Sequence, residues 1–197
     1  MSKIRRMELN TVLDRLTLLA GHATPNLQGA CIQDSRVGVF LFRHFGYEAQ
    51  ALVIHHHFEN ENWSVGTGGI AGFDPTQGKP SSYNPAYQLQ GADFHVVTFL
   101  PKELVIVDMC CGQTSRPERG LWLDQQVQIF EFTPDVYQHF IAGGAVETQR
   151  GNGNLFIKIH PDQESFKSTP AWRDKAELKR VARNLARVIE AMEMKAA

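Results

Sequence analysis

With 197 residues, 43% hydrophobic and 21% charged, the chain has the size and make-up of one globular domain over residues 1–197. Its 20 Lys and Arg against 21 Asp and Glu give a formal charge of -1, which argues against nucleic acid or an anionic membrane as partner. Three cysteines, two of them adjacent as Cys110 and Cys111, make no regular disulfide framework and suit a reducing compartment, so a soluble, cytoplasmic protein is expected. Glu8, Asn10, Asp14 and Arg15 interrupt any signal-peptide core, and no apolar run approaches the roughly 20 residues that span a bilayer.

In chain order, Met7, Val12, Leu13, Leu16, Leu18 and Leu19 form a helical stripe with Gly21 as its stop. After the polar, turn-prone run 21–30, a second helix is predicted to open near Cys31, carry Val37, Phe40, Leu41, Phe42 and Phe45, and end at Gly46. Tyr47 to Phe58 reads as a long strand with Leu52, Ile54, His56 and Phe58 on one face and Ala51, Val53, His55 and His57 on the other. Residues 60–91 are rich in Gly, Ser, Asn, Pro and Gln and read as a long loop, either a lid or a mobile insertion. Its Gly66-Thr67-Gly68-Gly69 lacks the Gly-Lys-Ser/Thr ending and the following helix of a phosphate loop, so nucleotide binding is set aside.

The segments 92–100 and 103–108 are dense in β-branched and aromatic residues and are separated by Pro101-Lys102, which predicts a hairpin. A two-residue turn there pairs Leu100 with Glu103, Val97 with Ile106, and His95 with Asp108. Opposed side chains share a face roughly 4.5–5.5 Å apart at Cβ, so the carboxylate can hold one imidazole nitrogen and leave the other to take a proton from a thiol. Cys31 supplies that thiol at a helix start, where the dipole and unpaired N–H groups lower its pKa and can hold an oxyanion. The trio Cys31, His95 and Asp108 is therefore the expected catalytic set. Further on, Gln125 to Phe132 and Asn154 to His160 alternate as strands, with turns at Gly143-Gly144 and 151–154. A long terminal helix runs from Ala171 or Trp172 to about Met194 on Leu178, Val181, Leu185, Val188, Ile189 and Met192. Its mixed basic and acidic second face reads as a solvated surface.

Two other clusters compete with the trio. His55 and His57 share a strand face and with His95 or Cys110 have the ligand types of a zinc site, but no ligand pair has clear metal spacing, so no metal is assigned. Cys110 and Cys111 follow Asp108 at a strand end, without a helix dipole, and are the weaker nucleophiles. Gln113, with Arg116 and Arg119, lies in the polar loop beyond that strand, where it binds substrate or caps a turn.

A cysteine opening a buried helix, followed by a His and an Asp on consecutive strands, resembles the transglutaminase-like superfamily, including the arylamine N-acetyltransferases, with papain-like fold elements. The stretches that carry the likeness are Gly29-Ala30-Cys31-Ile32-Gln33, Phe94-His95-Val96-Val97 and Val107-Asp108, with Gln28-Gly29-Ala30 where the acetyltransferases have Arg-Gly-Gly. The resemblance implies an α+β, papain/transglutaminase-like fold: a nucleophile helix packed on an antiparallel sheet, with a long C-terminal helix. It also implies an oxyanion donor beside the thiol, for which Gln28 and Gln33 are the nearest side chains. The activity so implied is acyl transfer through a Cys31 thioester from a small-molecule or peptide donor, as an amidase or peptidase, a transglutaminase or an acyltransferase. No cofactor is called for, and acyl-CoA is a donor the family admits without a residue here that asks for it. The rival expectation is a non-catalytic interaction module that keeps the fold.

Overall fold

The computed structural model describes residues 7–20, 31–62, 64–66, 94–115, 117, 120–173 and 175–196. Among them the chain forms an α+β structure around one antiparallel sheet that curves into a half-barrel. The strands are β1 (Gln50–Glu59), β2 (Ser64–Gly66), β3 (His95–Leu100), β4 (Val105–Asp108), β5 (Gln128–Glu131), β6 (Val146–Arg150) and β7 (Gly153–Ile159). Their order across the sheet is β5-β4-β3-β1-β7-β6. Strand β7 takes one edge of β1, so β3 and the short β2 share the other, β3 against its first half and β2 against its end. The helices are α1 (Leu9–Ala20), α2 (Cys31–His44), α3 (Pro134–Ile141), α4 (Pro170–Arg173) and α5 (Lys175–Ala196). No helix among the described residues is long and apolar enough to cross a membrane.

Both sheet faces are covered, which is why β3 and β4 are buried at every position and read as continuous apolar runs. On one face Leu100, Val105 and Val107 meet Val12 and Leu16 of α1, Val37, Leu41 and Phe42 of α2, and Ala182, Ala186 and Ile189 of α5. On the other, Ile54, Phe58, Val97, Phe99, Ile106 and Leu155 pack with Phe140 of α3. The expected alternation of β1 holds, with Leu52, Ile54 and Phe58 in this second layer and Ala51 and Val53 in a separate patch on the opposite side.

Helix α2 is fixed at both ends of its contact with the sheet. Its C-terminus closes in a Schellman arrangement: the Gly46 N–H donates to Arg43 O at 3.1 Å and the Tyr47 N–H to Phe42 O at 3.0 Å, with Gly46 at φ 84°. The Tyr47 ring then stands edge-on to Phe42 at 6.4 Å, the apolar contact that accompanies this cap. Near its start, the Ser35 hydroxyl donates to Val97 O at 3.0 Å while the Thr98 hydroxyl donates to Ser35 O at 3.1 Å. Gly38 allows this approach, since a Cβ there would collide with Thr98 Oγ1 and lie 3.0 Å from Met109 Sδ. Gly38→Ala is accordingly expected to destabilise the fold by about 1–3 kcal/mol through overpacking and to push the start of α2 off β3. Denaturant midpoints measure the first effect, and an unchanged midpoint would remove the close-packing argument.

One expectation is corrected, and two elements without an apolar signature join the fold. The hairpin register is not the one a two-residue turn imposes: Leu100 pairs with Val105, Phe99 with Ile106 and Thr98 with Val107. Residues 101–104 form the turn instead, with Leu104 at φ 56°, because Pro101 is barred from the positive φ that a two-residue hairpin turn demands at its centre. Helix α3 went unread, although Thr133 accepts from the Val136 N–H and Pro134 starts the helix, an N-terminal signal that hydrophobic periodicity passes over in eight residues. Strand β6, Val-Glu-Thr-Gln-Arg, is an edge strand with no buried position and therefore no apolar alternation to detect. The predicted long loop lies, apart from 60–62 and 64–66, outside the described residues, and so do the predicted roles of Arg116 and Arg119.

Candidate active site

Cys31 is the first residue of α2, so its sulfur stands where the helix leaves N–H groups without helical partners. Together with Ile32 it packs against Val53, Val96 and Phe166 over the start of β3. There the His95 ring and the Val96 backbone stand close enough to act on the thiol. Strand β3 begins at His95, whose Nε2–H donates to Asp108 Oδ2 at 2.9 Å from the last residue of β4. With Nε2 engaged by Asp108, Nδ1 is the nitrogen left to exchange a proton with the thiol. His95 and Asp108 are diagonal neighbours rather than directly opposed, since the register sets Asp108 two residues further along. A slip of two residues keeps every side chain on its face, which is why the pair still meets.

The electrostatics separate the cysteines that touch this imidazole. Burial pushes the Cys31 thiol up, but the hydrogen bond and charge of His95 and the Val96 N–H outweigh it, and the net shift is below the ordinary 9.0. Cys110 Sγ lies 3.7 Å from His95 Nε2 and 3.5 Å from Asp108 Oδ1. Its burial dominates, and its thiol is held well above 9.0, that is, protonated. Burial alone would lower His95, yet the Asp108 charge and its hydrogen bond raise it well above 6.5. Asp108 is fully buried, and although that favours its neutral form, the His95 charge, the His95 N–H and the Cys110 N–H at 3.1 Å hold it down to about 2. These shifts favour the charged forms of Cys31 and His95 over those of a free thiol and imidazole, beside an ionised Asp108.

Residues beyond the trio complete the surroundings. His56 stacks on His95 with ring centroids 4.9 Å apart, and burial followed by the His95 charge lowers it to about 3, so it stays neutral. Its Nε2 is 3.4 Å from Cys111 Sγ. Asp34, one turn beyond Cys31 on the same side of α2, is raised to about 6 by burial and then by the Asp108 charge. This residue escaped the sequence reading, although a spacing of three from a helix-start cysteine marks it. A raised folded-state carboxyl favours the fold at low pH, and the benefit is lost as pH rises through about 6. Asp34→Asn is therefore expected to gain about 1–3 kcal/mol over wild type above pH 7 but little at pH 4.5, checked by urea melts at the two pH values.

Of the expected oxyanion and substrate side chains, Gln33 is exposed, two residues along α2 from Cys31 and hence turned away from it. A helix rotates about 100° per residue, so the two side chains leave the axis of α2 on different sides. Gln28 and the side chain of Gln113 lie outside the described residues; the Gln113 backbone belongs to the 3-10 turn Cys111–Thr114 just after Asp108. Of the three consecutive histidines it is His56, on the opposite face of β1 from His55 and His57, that adjoins His95 and Asp108. Compared with family models, curated proteins and solved structures, the chain matches none.

Proposed function

We propose that this protein is a thiol-dependent acyl-transfer enzyme of papain/transglutaminase-like type, with Cys31 as nucleophile, His95 as acid and base, and Asp108 as the orienting group. The observation that carries the reading is the line of contacts from a helix-start sulfur through one imidazole to a fully buried carboxylate 2.9 Å away. Each member comes from a different element, and the sulfur nearest the helix dipole is also the one whose thiol is lowered.

In this mechanism the Cys31 thiolate adds to the carbonyl carbon of a small-molecule or peptide acyl donor. The carbonyl electron pair moves to oxygen, where the N-terminal N–H groups of α2 face it. As the tetrahedral centre collapses, the bond to the leaving amine or alcohol breaks and His95 gives that group its proton, leaving a Cys31 thioester. His95, now neutral, takes the proton from the incoming acceptor; the thioester breaks and the thiolate returns. Water as acceptor makes a hydrolase, and an amine makes a transferase. The free thiols of Cys31, Cys110 and Cys111 fit a reducing compartment such as the cytoplasm.

Brief exposure to p-nitrophenyl acetate at pH 7, an acid quench and peptide mass spectrometry test this. An acetyl group on Cys31 that hydroxylamine removes is expected, with none on Cys110 or Cys111. Acetylation spread over lysines with Cys31 unmodified would turn the reading to the non-catalytic interaction module.

A further inference from the structure

The acyl-transfer chemistry leaves three buried side chains over, and all stand against the trio: Cys110, Cys111 and His56, at 7%, 0% and 1% exposure. Cys110 Sγ stands 3.7 Å from His95 Nε2 and 3.5 Å from Asp108 Oδ1, Asp108 Oδ2 is 2.9 Å from His95 Nε2, and one donor atom from each of the three residues lies within 4.8 Å of the others. Donors around a tetrahedral zinc with bonds of about 2.0–2.3 Å stand about 3.3–3.8 Å from one another. The three donors are therefore already close to metal-binding spacing, and a small turn of the Asp108 carboxylate off His95 Nε2 completes it. His56 Nε2 and Cys111 Sγ are 3.4 Å apart, and their donor atoms lie within 4.8 Å of the same carboxylate.

We propose that this cluster binds one thiophilic divalent cation, Zn2+ or its analogue Cd2+, through Cys110 Sγ, His95 Nε2 and Asp108, with the His56 and Cys111 pair beside the fourth position. Thiolate, imidazole and carboxylate are the donor types such ions select. Binding displaces two protons, one from the Cys110 thiol and one from His95 Nε2, and each lone pair so released becomes a metal bond. The nitrogen that the ion takes is the one that otherwise donates to Asp108. The metal-bound and the proton-shuttling arrangements therefore exclude each other, and the ion acts as a reversible inhibitor held beneath the nucleophile. That inhibitory consequence rests on the acyl-transfer reading; binding of the ion does not.

Cd2+ titration of the full chain, followed by thiolate-to-cadmium charge-transfer absorption in the ultraviolet, decides the binding. Wild type and Cys31→Ser should both saturate at one equivalent, and Cys110→Ser should bind at least about 100-fold more weakly. Absorption that needs Cys31 but survives Cys110→Ser overturns the site. So does absorption that needs Cys111 and not Cys110, or none in wild type at stoichiometric metal. Should Cys110→Ser not fold, cadmium NMR of the wild-type complex counts the sulfurs, and a shift in the range of oxygen and nitrogen ligands alone overturns the site equally. In a second arm, one equivalent of Cd2+ should slow iodoacetamide at Cys31 at least about tenfold at pH 6.5. If Cys31 is never selectively alkylated even without metal, the acyl-transfer reading fails, while the absorption still decides the site.

Discussion

His95→Ala should slow alkylation of Cys31 at pH 6.5 by about two orders of magnitude and abolish the preference for Cys31 over Cys110 and Cys111. In wild type the imidazolium holds the thiol below its ordinary 9.0. Without the ring, burial is the largest remaining influence and acts upward. A thiol at 9.0 is only about 0.3% ionised at pH 6.5, and a buried one less, so little nucleophile remains. The Val96 N–H and the α2 dipole stay in place and keep the effect from being larger. Time courses of iodoacetamide labelling, resolved by peptide mass, give the three rates separately. Equal rates at all three cysteines in wild type would remove the activated nucleophile, and with it the enzyme.

Asp108→Asn should be damaging in two separable ways. Chemically it releases His95 from its tautomer and charge, and acyl transfer should fall by about 10³–10⁴-fold while folding persists. Thermodynamically it removes a buried pair whose two members act on opposite flanks of pH. The Asp108 carboxyl is depressed to about 2, so its contribution of about 2 kcal/mol is complete above pH 4 and is lost as pH falls toward 2. His95 is raised, so its contribution is complete below about 6.5 and is lost as pH rises through its folded-state value. Wild type should thus hold its largest stability margin over the Asn variant between about pH 4 and 6.5. Thermal melts from pH 3 to 9 measure it, and parallel profiles for the two proteins would show that the pair does not stabilise the fold.

The parts of this site that were legible in sequence are those that depend on local periodicity. Helix α2 was read from a breaker, a cysteine and an apolar run, and its start and Gly46 stop stand as expected. The pairing of His95 with Asp108 was read from a wrong register that differed by two, and parity on a strand forgives even errors alone. What the sequence did not disclose is tertiary. That Cys110 meets the same imidazole follows from Cys110 standing opposite His95 once the longer turn is used, and the turn itself depends on Leu104 entering positive φ. That His56 rather than His55 or His57 adjoins the site follows from β3 running beside β1 with Ile54 opposite His95, a contact across some forty residues of intervening chain. No pattern within a single strand encodes that neighbour.

The reciprocal bonds of Ser35 with β3, its hydroxyl to the Val97 carbonyl and the Thr98 hydroxyl to its own carbonyl, join segments 62 and 63 residues apart. They close only after β3 has been synthesised and docked, and until then Cys31 has neither His95 nor Val96 to lower its thiol. A nascent or partly unfolded chain therefore carries an ordinary cysteine, inert toward passing acyl donors. Chemical reactivity switches on with long-range assembly, so a stopped-flow thiol probe at pH 6.5 would time the docking of α2 on β3 during refolding without any introduced label.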